Sequence, residues 1–243
     1  FRREGTELTA IVDRLVELFG SRDGYNGQDK VWRDAGPRGV MIEFGSCPNL
    51  GDENKHQGNP HDFLVLDEAV NFLEQQVRFL MGWVRTTVPG QRCQTLMTFN
   101  PPTNAEGRWI VDFFAPWLDK KHPLYPTPPG QIRYVAVLDG KDVWVESPDV
   151  IKHNGEEITP QSRTFIPSRI SDNPFLMGTG YMTTLQALPE PLRSQMLYGD
   201  FHAGMEDDPW QVIPTGWVDL AMARWKERSP KGEMMSLGVD VAR

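Results

Sequence analysis

With 243 residues, 39% hydrophobic and 24% charged, the chain has the composition of an ordinary globular protein of one to two domains. A formal net charge of −8 excludes a surface coated with positive charge for nonspecific nucleic-acid binding, though not a local basic patch. Cys47 and Cys93 are too few for a disulfide framework, and no run reaches the roughly 18 consecutive apolar residues of a membrane span. The expected setting is therefore soluble, intracellular and reducing.

In chain order, Phe1-Arg2-Arg3-Glu4 reads as a strand end. Thr6 can then cap a helix whose apolar residues Leu8, Ile11, Val12, Leu15, Val16 and Leu18 keep a 3.6-residue period to Gly20. Residues 21–39, rich in Gly and Asp, read as loop, and 40–44 as a short buried strand. The continuous apolar run 63–66, ending in Asp67-Glu68-Ala69, is expected of a strand buried on both faces of a parallel sheet. A helix over about 71–84, a strand at 94–97 and helical spacing over 106–118 follow, and this alternation indicates an α/β fold with a mainly parallel sheet.

From Pro123 the texture changes. Strands at 132–137 and 143–146 flank Asp139-Gly140-Lys141-Asp142 as a hairpin, an edge strand is expected at 164–167, and short helices at 180–188 and 190–198. An acidic stretch at 206–209 precedes a helix over 215–227. Residues 229–232 read as a linker and 236–241 as the opening strand of another domain. The eight tryptophans are spread without a period and read as core and subdomain contacts rather than base-stacking groups. The five histidines show no metal-ligand spacing.

The chemistry concentrates at Asp67 and Glu68. An apolar strand of an open α/β sheet delivers side chains to its carboxyl end, where such sheets place their ligands. In an ATPase the first carboxylate holds Mg²⁺ and the second orients and deprotonates water. Taken alone, the pair fits equally a cap on the next helix, where acidic groups favour the N-terminal dipole. One helix later Thr98-Phe99-Asn100-Pro101 ends a strand with two polar groups suited to sensing a γ-phosphate, and by itself also fits a proline turn.

Phe1-Arg2-Arg3, Lys55-His56-Gln57-Gly58, the Asp67-Glu68 strand and Thr98-Phe99-Asn100-Pro101-Pro102 together resemble the ATPase domain of phage terminase large subunits. The resemblance continues through Ser171-Asp172-Asn173-Pro174-Phe175-Leu176, Tyr181, Leu185 and Leu197-Tyr198-Gly199-Asp200-Phe201. It ends at Gly238-Val239-Asp240-Val241-Ala242, which is similar to the first strand of that family's ribonuclease-H-like nuclease. It implies a P-loop NTPase core over 1–122, a lid subdomain over 123–201, a linker over 202–232 and the start of a nuclease over 233–243. The implied activity is ATP-driven packaging of double-stranded DNA into a capsid, with metal-dependent cleavage of that DNA.

Matched residue by residue, the resemblance makes Asp67 and Glu68 the metal-binding and water-activating pair. Arg3, Thr98 and Asn100 become nucleotide-binding or coupling groups, and Asp240 a metal-binding catalytic aspartate of the nuclease. The implied cofactors are ATP with Mg²⁺, and Mg²⁺ or Mn²⁺ for the nuclease. The implied partners are double-stranded DNA, the portal protein, the small terminase subunit and further copies in a ring, in the cytoplasm of an infected cell and with no membrane. Arg2, Arg3, Arg108 and Arg169 are the candidates for stabilising charge on a transferred phosphate, with Arg3 placed first.

The chain departs from the family in holding no Gly-x-x-x-x-Gly-Lys-[Ser/Thr] loop and a single nuclease aspartate. Opening at Phe1 and stopping at Arg243 just after an apolar run, it reads as an internal stretch with half of each active site. A helicase-like P-loop ATPase and an inactive NTPase-like interaction module are the rival readings.

Overall fold

Leu8 and Val12 are buried on one face of α1 (Leu8–Phe19), which a 3-10 turn at Gly5–Glu7 leads into in place of a Thr6 side-chain cap. Gly20 stops the helix at φ 73, where its N–H donates to the Val16 carbonyl. The computed structural model describes residues 1–204, 213 and 215–224. The chain divides into two units, Phe1–Ala203 and Gly204–Arg243.

Within the first unit, α1 covers a three-stranded antiparallel sheet of β1 (Tyr25–Asn26), β2 (Val31–Ala35) and β3 (Val40–Glu43). Two of these strands lie where the sequence reads as loop. Trp32 anchors them: it is buried, stacks edge-on against Phe19, and donates its indole N–H to the Asp23 carbonyl. The strand expected to be buried at 40–44 is instead largely open, with Val40 46% and Met41 59% exposed, since only Ile42 and Phe44 of this stretch pack into the small core that Trp32 forms with α1.

The second core surrounds β4 (Phe63–Leu66) and β5 (Gln94–Met97), which pair in parallel from Phe63↔Gln94 to Leu66↔Met97. Leu64 and Leu66 are buried while Phe63 is half exposed, so β4 is covered less completely than its apolar run suggests. On its other edge the Phe1 main chain continues the parallel pairing: its nitrogen donates to the Val65 carbonyl and its carbonyl accepts from the Asp67 N–H. The crossover is a 3-10 turn at Ala69–Asn71 and α2 (Glu74–Met81), shorter than the expected 71–84 because Phe72 and Leu73 are extended. The helix expected over 106–118 is divided into a 3-10 turn at Glu106–Arg108, α3 (Trp109–Phe113) and α4 (Ala115–Leu118). Pro116 explains the break, since it lacks an N–H and crowds the carbonyl four residues earlier.

After Pro123, β6 (Arg133–Leu138) and β7 (Lys141–Val145) form the expected hairpin around a two-residue turn, with Asp139 and Gly140 at φ 50 and 75. A second hairpin, β8 (Ile151–His153) and β9 (Glu156–Ile158), turns at Asn154-Gly155. The edge strand β10 (Gln161–Arg163) pairs with β6 just before the position expected. The short helices α5 (Pro174–Met177), α6 (Tyr181–Gln186) and α7 (Leu192–Tyr198) complete the unit.

This region is packed onto the β4–β5 core. The Phe99 ring meets Phe114, Phe165 and Phe201 at centroid separations of 5.4–5.9 Å. Buried Arg163 lies 3.6 Å over the Phe113 ring and shares Asp142 with Arg78. The buried amide of Gln195 in α7 donates to the carbonyls of Pro102 and Ala203.

The chain is thus mixed α/β with small sheets, the β4–β5 pair parallel and the other described sheets antiparallel. Among the described residues no helix is long and apolar enough to cross a membrane. In the second unit α8 (Thr215–Arg224) is described, close to the expected 215–227. The acidic stretch at 206–209, the linker at 229–232, the strand at 236–241 and Asp240 lie outside the described residues.

Candidate active site at the end of the parallel strands

The pairing Leu66↔Met97 brings the next residue of each strand, Asp67 and Thr98, side by side at the carboxyl end. The ladder extends past both: the Thr98 N–H donates to the Leu66 carbonyl and the Ala69 N–H to the Thr98 carbonyl. The Thr98 hydroxyl donates to Asp67 Oδ1. On the opposite side the Arg2 guanidinium places Nε and a terminal nitrogen on Asp67 Oδ2, both at 2.7 Å. Burial pushes the Asp67 carboxyl up, but the Thr98 and Arg2 hydrogen bonds and the Arg2 charge outweigh it and hold the group below its ordinary value.

Glu68 is in a different environment. Among the described residues no hydrogen bond reaches its carboxylate, and burial, followed by the neighbouring Asp67 charge, raises its pKa. Its backbone is left-handed, φ 55 and ψ 49, a region that a residue carrying a Cβ enters at a cost of about 1–2 kcal/mol. Strain of this kind at a strand end, beside an unpaired carboxylate, is common where a side chain must be aimed.

The sequence leaves Arg2 and Arg3 indistinguishable by chemistry, and placed Arg3 first. Extended backbone sends consecutive side chains to opposite sides, and it is Arg2 that faces Asp67. Arg3 points the other way: Nε donates to the Pro48 carbonyl at 2.8 Å, and a terminal nitrogen to the Asn71 carbonyl and Gln76 Oε1. It ties loops together. Glu7, which no motif or spacing singles out, stands 3.5 Å from Arg2 through the 3-10 turn that precedes α1. Among the described residues Asn100, which is exposed, makes no hydrogen bond, and neither Arg108 nor Arg169 has an ion pair. Lys55 pairs with Asp52, and the His56 ring meets Phe1 edge-on at 4.7 Å.

One carboxylate and one hydroxyl converge here, and among the described residues no group of three His, Cys, Asp or Glu side chains is arranged to hold a metal. Mg²⁺ keeps several waters and is commonly held by one or two carboxylates together with substrate phosphates. The donor set fits a cation that arrives with phosphate ligands, and does not fit a closed protein cage. A shallow concavity at the start of α2, lined by Leu73, Glu74, Gln75 and Arg78, takes in none of these residues.

No family model, curated protein or solved structure matches the chain.

Proposed function

We propose that Asp67, Glu68 and Thr98 are the metal-holding, water-activating and orienting groups of a nucleoside-triphosphate hydrolysis site, in a DNA-packaging motor subunit of the terminase large-subunit type. The observation that carries this reading is the contrast between two adjacent carboxylates. Asp67 is fixed by Arg2 and Thr98 and held ionised, whereas Glu68, strained and raised in pKa, has no side-chain partner among the described residues. Environments that push neighbouring acids apart are how one site assigns one to charge binding and the other to proton transfer.

In the proposed mechanism Asp67 would hold Mg²⁺ through its carboxylate, which the Thr98 hydroxyl keeps oriented. Glu68 accepts the proton of the attacking water, a role that favours a base whose pKa is nearer the working pH. When bound, Mg²⁺ neutralises charge on the phosphate oxygens. Thr98 to Pro102 leads directly into the Phe99 ring cluster and the Gln195 hydrogen bond, a packed route from the site to residues 123–203. Asp240 is proposed as a metal ligand of a separate nuclease site.

The reading is tested with the full protein acting on double-stranded DNA. Asp67→Asn abolishes ATP turnover and translocation, while Asp240→Ala removes metal-dependent cleavage and leaves ATP turnover intact. ATP turnover that survives Asp67→Asn contradicts it.

A further inference from the structure

Arg2 is more than a neighbour of the acid pair. An ionised carboxylate has about four lone-pair positions. Two N–H groups of Arg2 converge on Oδ2, and the Thr98 hydroxyl takes one position on Oδ1. Three of the four positions are therefore filled. Mg²⁺ binds carboxylate oxygen at roughly 2.0–2.1 Å in near-octahedral geometry, which the doubly occupied Oδ2 cannot offer while Arg2 stays; the one position left, on Oδ1 beside the Thr98 hydroxyl, meets a cation with the Arg2 charge across the same carboxylate.

We propose that Arg2 is a positioning residue that guards Asp67, standing where a divalent cation would bind and yielding only to a cation that carries phosphate. A bare cation gains one carboxylate and must break a two-donor ion pair. Phosphate supplies ligands to the cation, and its oxygens match the fork of the released guanidinium. The exchange needs side-chain motion alone. The Arg2 main chain is anchored independently, its N–H donating to the Gly45 carbonyl and the residue bridging in parallel to Ser46. Glu7, 3.5 Å from the Arg2 guanidinium, holds a second carboxylate to which the released side chain stays tethered.

The inference rests on Asp67 being a metal ligand, not on hydrolysis, and the test measures binding. Mn²⁺ alone is titrated into the full chain without nucleotide, using electron paramagnetic resonance to count free ion. Removing the competitor frees the carboxylate, so Arg2→Gln is expected to bind Mn²⁺ about tenfold more tightly than wild type. Arg2→Lys, a single point charge, gives a smaller gain and serves if Arg2→Gln melts early. Adding Asp67→Asn to either variant cancels the gain. Mn²⁺ affinity unchanged in both Arg2 variants, or a gain that survives Asp67→Asn, overturns the proposal. A Mn²⁺ gain in a chain that never hydrolyses ATP supports the Arg2 assignment and removes the ATPase reading. Glu68-dependent turnover with a Mn²⁺ affinity indifferent to Arg2 removes the Arg2 assignment alone.

Discussion

The Thr98 hydroxyl donates its hydrogen bond to Asp67 from the neighbouring parallel strand, and the register Leu66↔Met97 is what sets the two side by side. Thr98→Val preserves shape and removes the donor. The expected cost is about 0.5–1.5 kcal/mol, toward the lower end because Thr98 is exposed, read as a shift in urea midpoint. The Asp67 pKa, followed by carboxyl NMR, is expected to rise in this variant.

The acid pair gives opposite pH signatures. Asp67 has a lowered folded pKa, so the unfolded chain binds more protons in the window between the two values. Its stabilisation is present above the unfolded value of about 4 and is lost as pH falls through the folded one. Glu68 has a raised folded pKa, so the native state holds the extra proton, and stability is lost as pH rises through the window. Thermal melts at pH 7 are therefore expected to show Glu68→Gln more stable than wild type, the gap closing as pH drops below the unfolded value. A gap that widens on acidification contradicts the assignment.

Asp142 is expected to matter more to folding than any group in the site. It accepts from Arg78 at 3.1 Å and from Arg163, whose side chain is 6% exposed. Asp142→Ala leaves that guanidinium buried without a counter-charge, a loss of about 3–5 kcal/mol by chemical denaturation. Arg78→Ala, more than a third exposed, is expected to cost about 1 kcal/mol or less.

Gln195 joins the end of the Thr98–Pro102 segment to α7. Replacing it with Leu strands the buried Pro102 carbonyl and loses the bond to the partly buried Ala203 carbonyl, at about 1–3 kcal/mol. Hydrogen exchange is expected to quicken in α7 before it changes in β4.

What the sequence made legible were elements with strong local signals. The bounds 63–66 and 94–97 coincide with β4 and β5, and Gly20 marks the end of α1. The hairpin at Asn154-Gly155 was overlooked although Asn-Gly is a strong turn signal, because its three-residue strands carry little hydrophobic alternation. β1 and β2 were hidden for a related reason: the pattern across Gly24 to Gly39 is turn-rich, and the strands are held by one buried ring, Trp32. In the site, Asp67, Glu68 and Thr98 were visible as residue types at strand ends. Which arginine faces them was not, since Arg2 and Arg3 differ only in the side of an extended backbone they occupy, and that is fixed by the pairing of Phe1 with β4 and of Arg2 with Ser46. Glu7 enters only through tertiary contact.

Glu68 is proposed as the base of a nucleotide hydrolysis site. That role is tested by ATP turnover and nucleotide binding in wild type and Glu68→Gln. Glu68→Gln is expected to bind Mg·ATP with unchanged affinity while turnover falls by about 10²-fold or more. Turnover equal to wild type would contradict it.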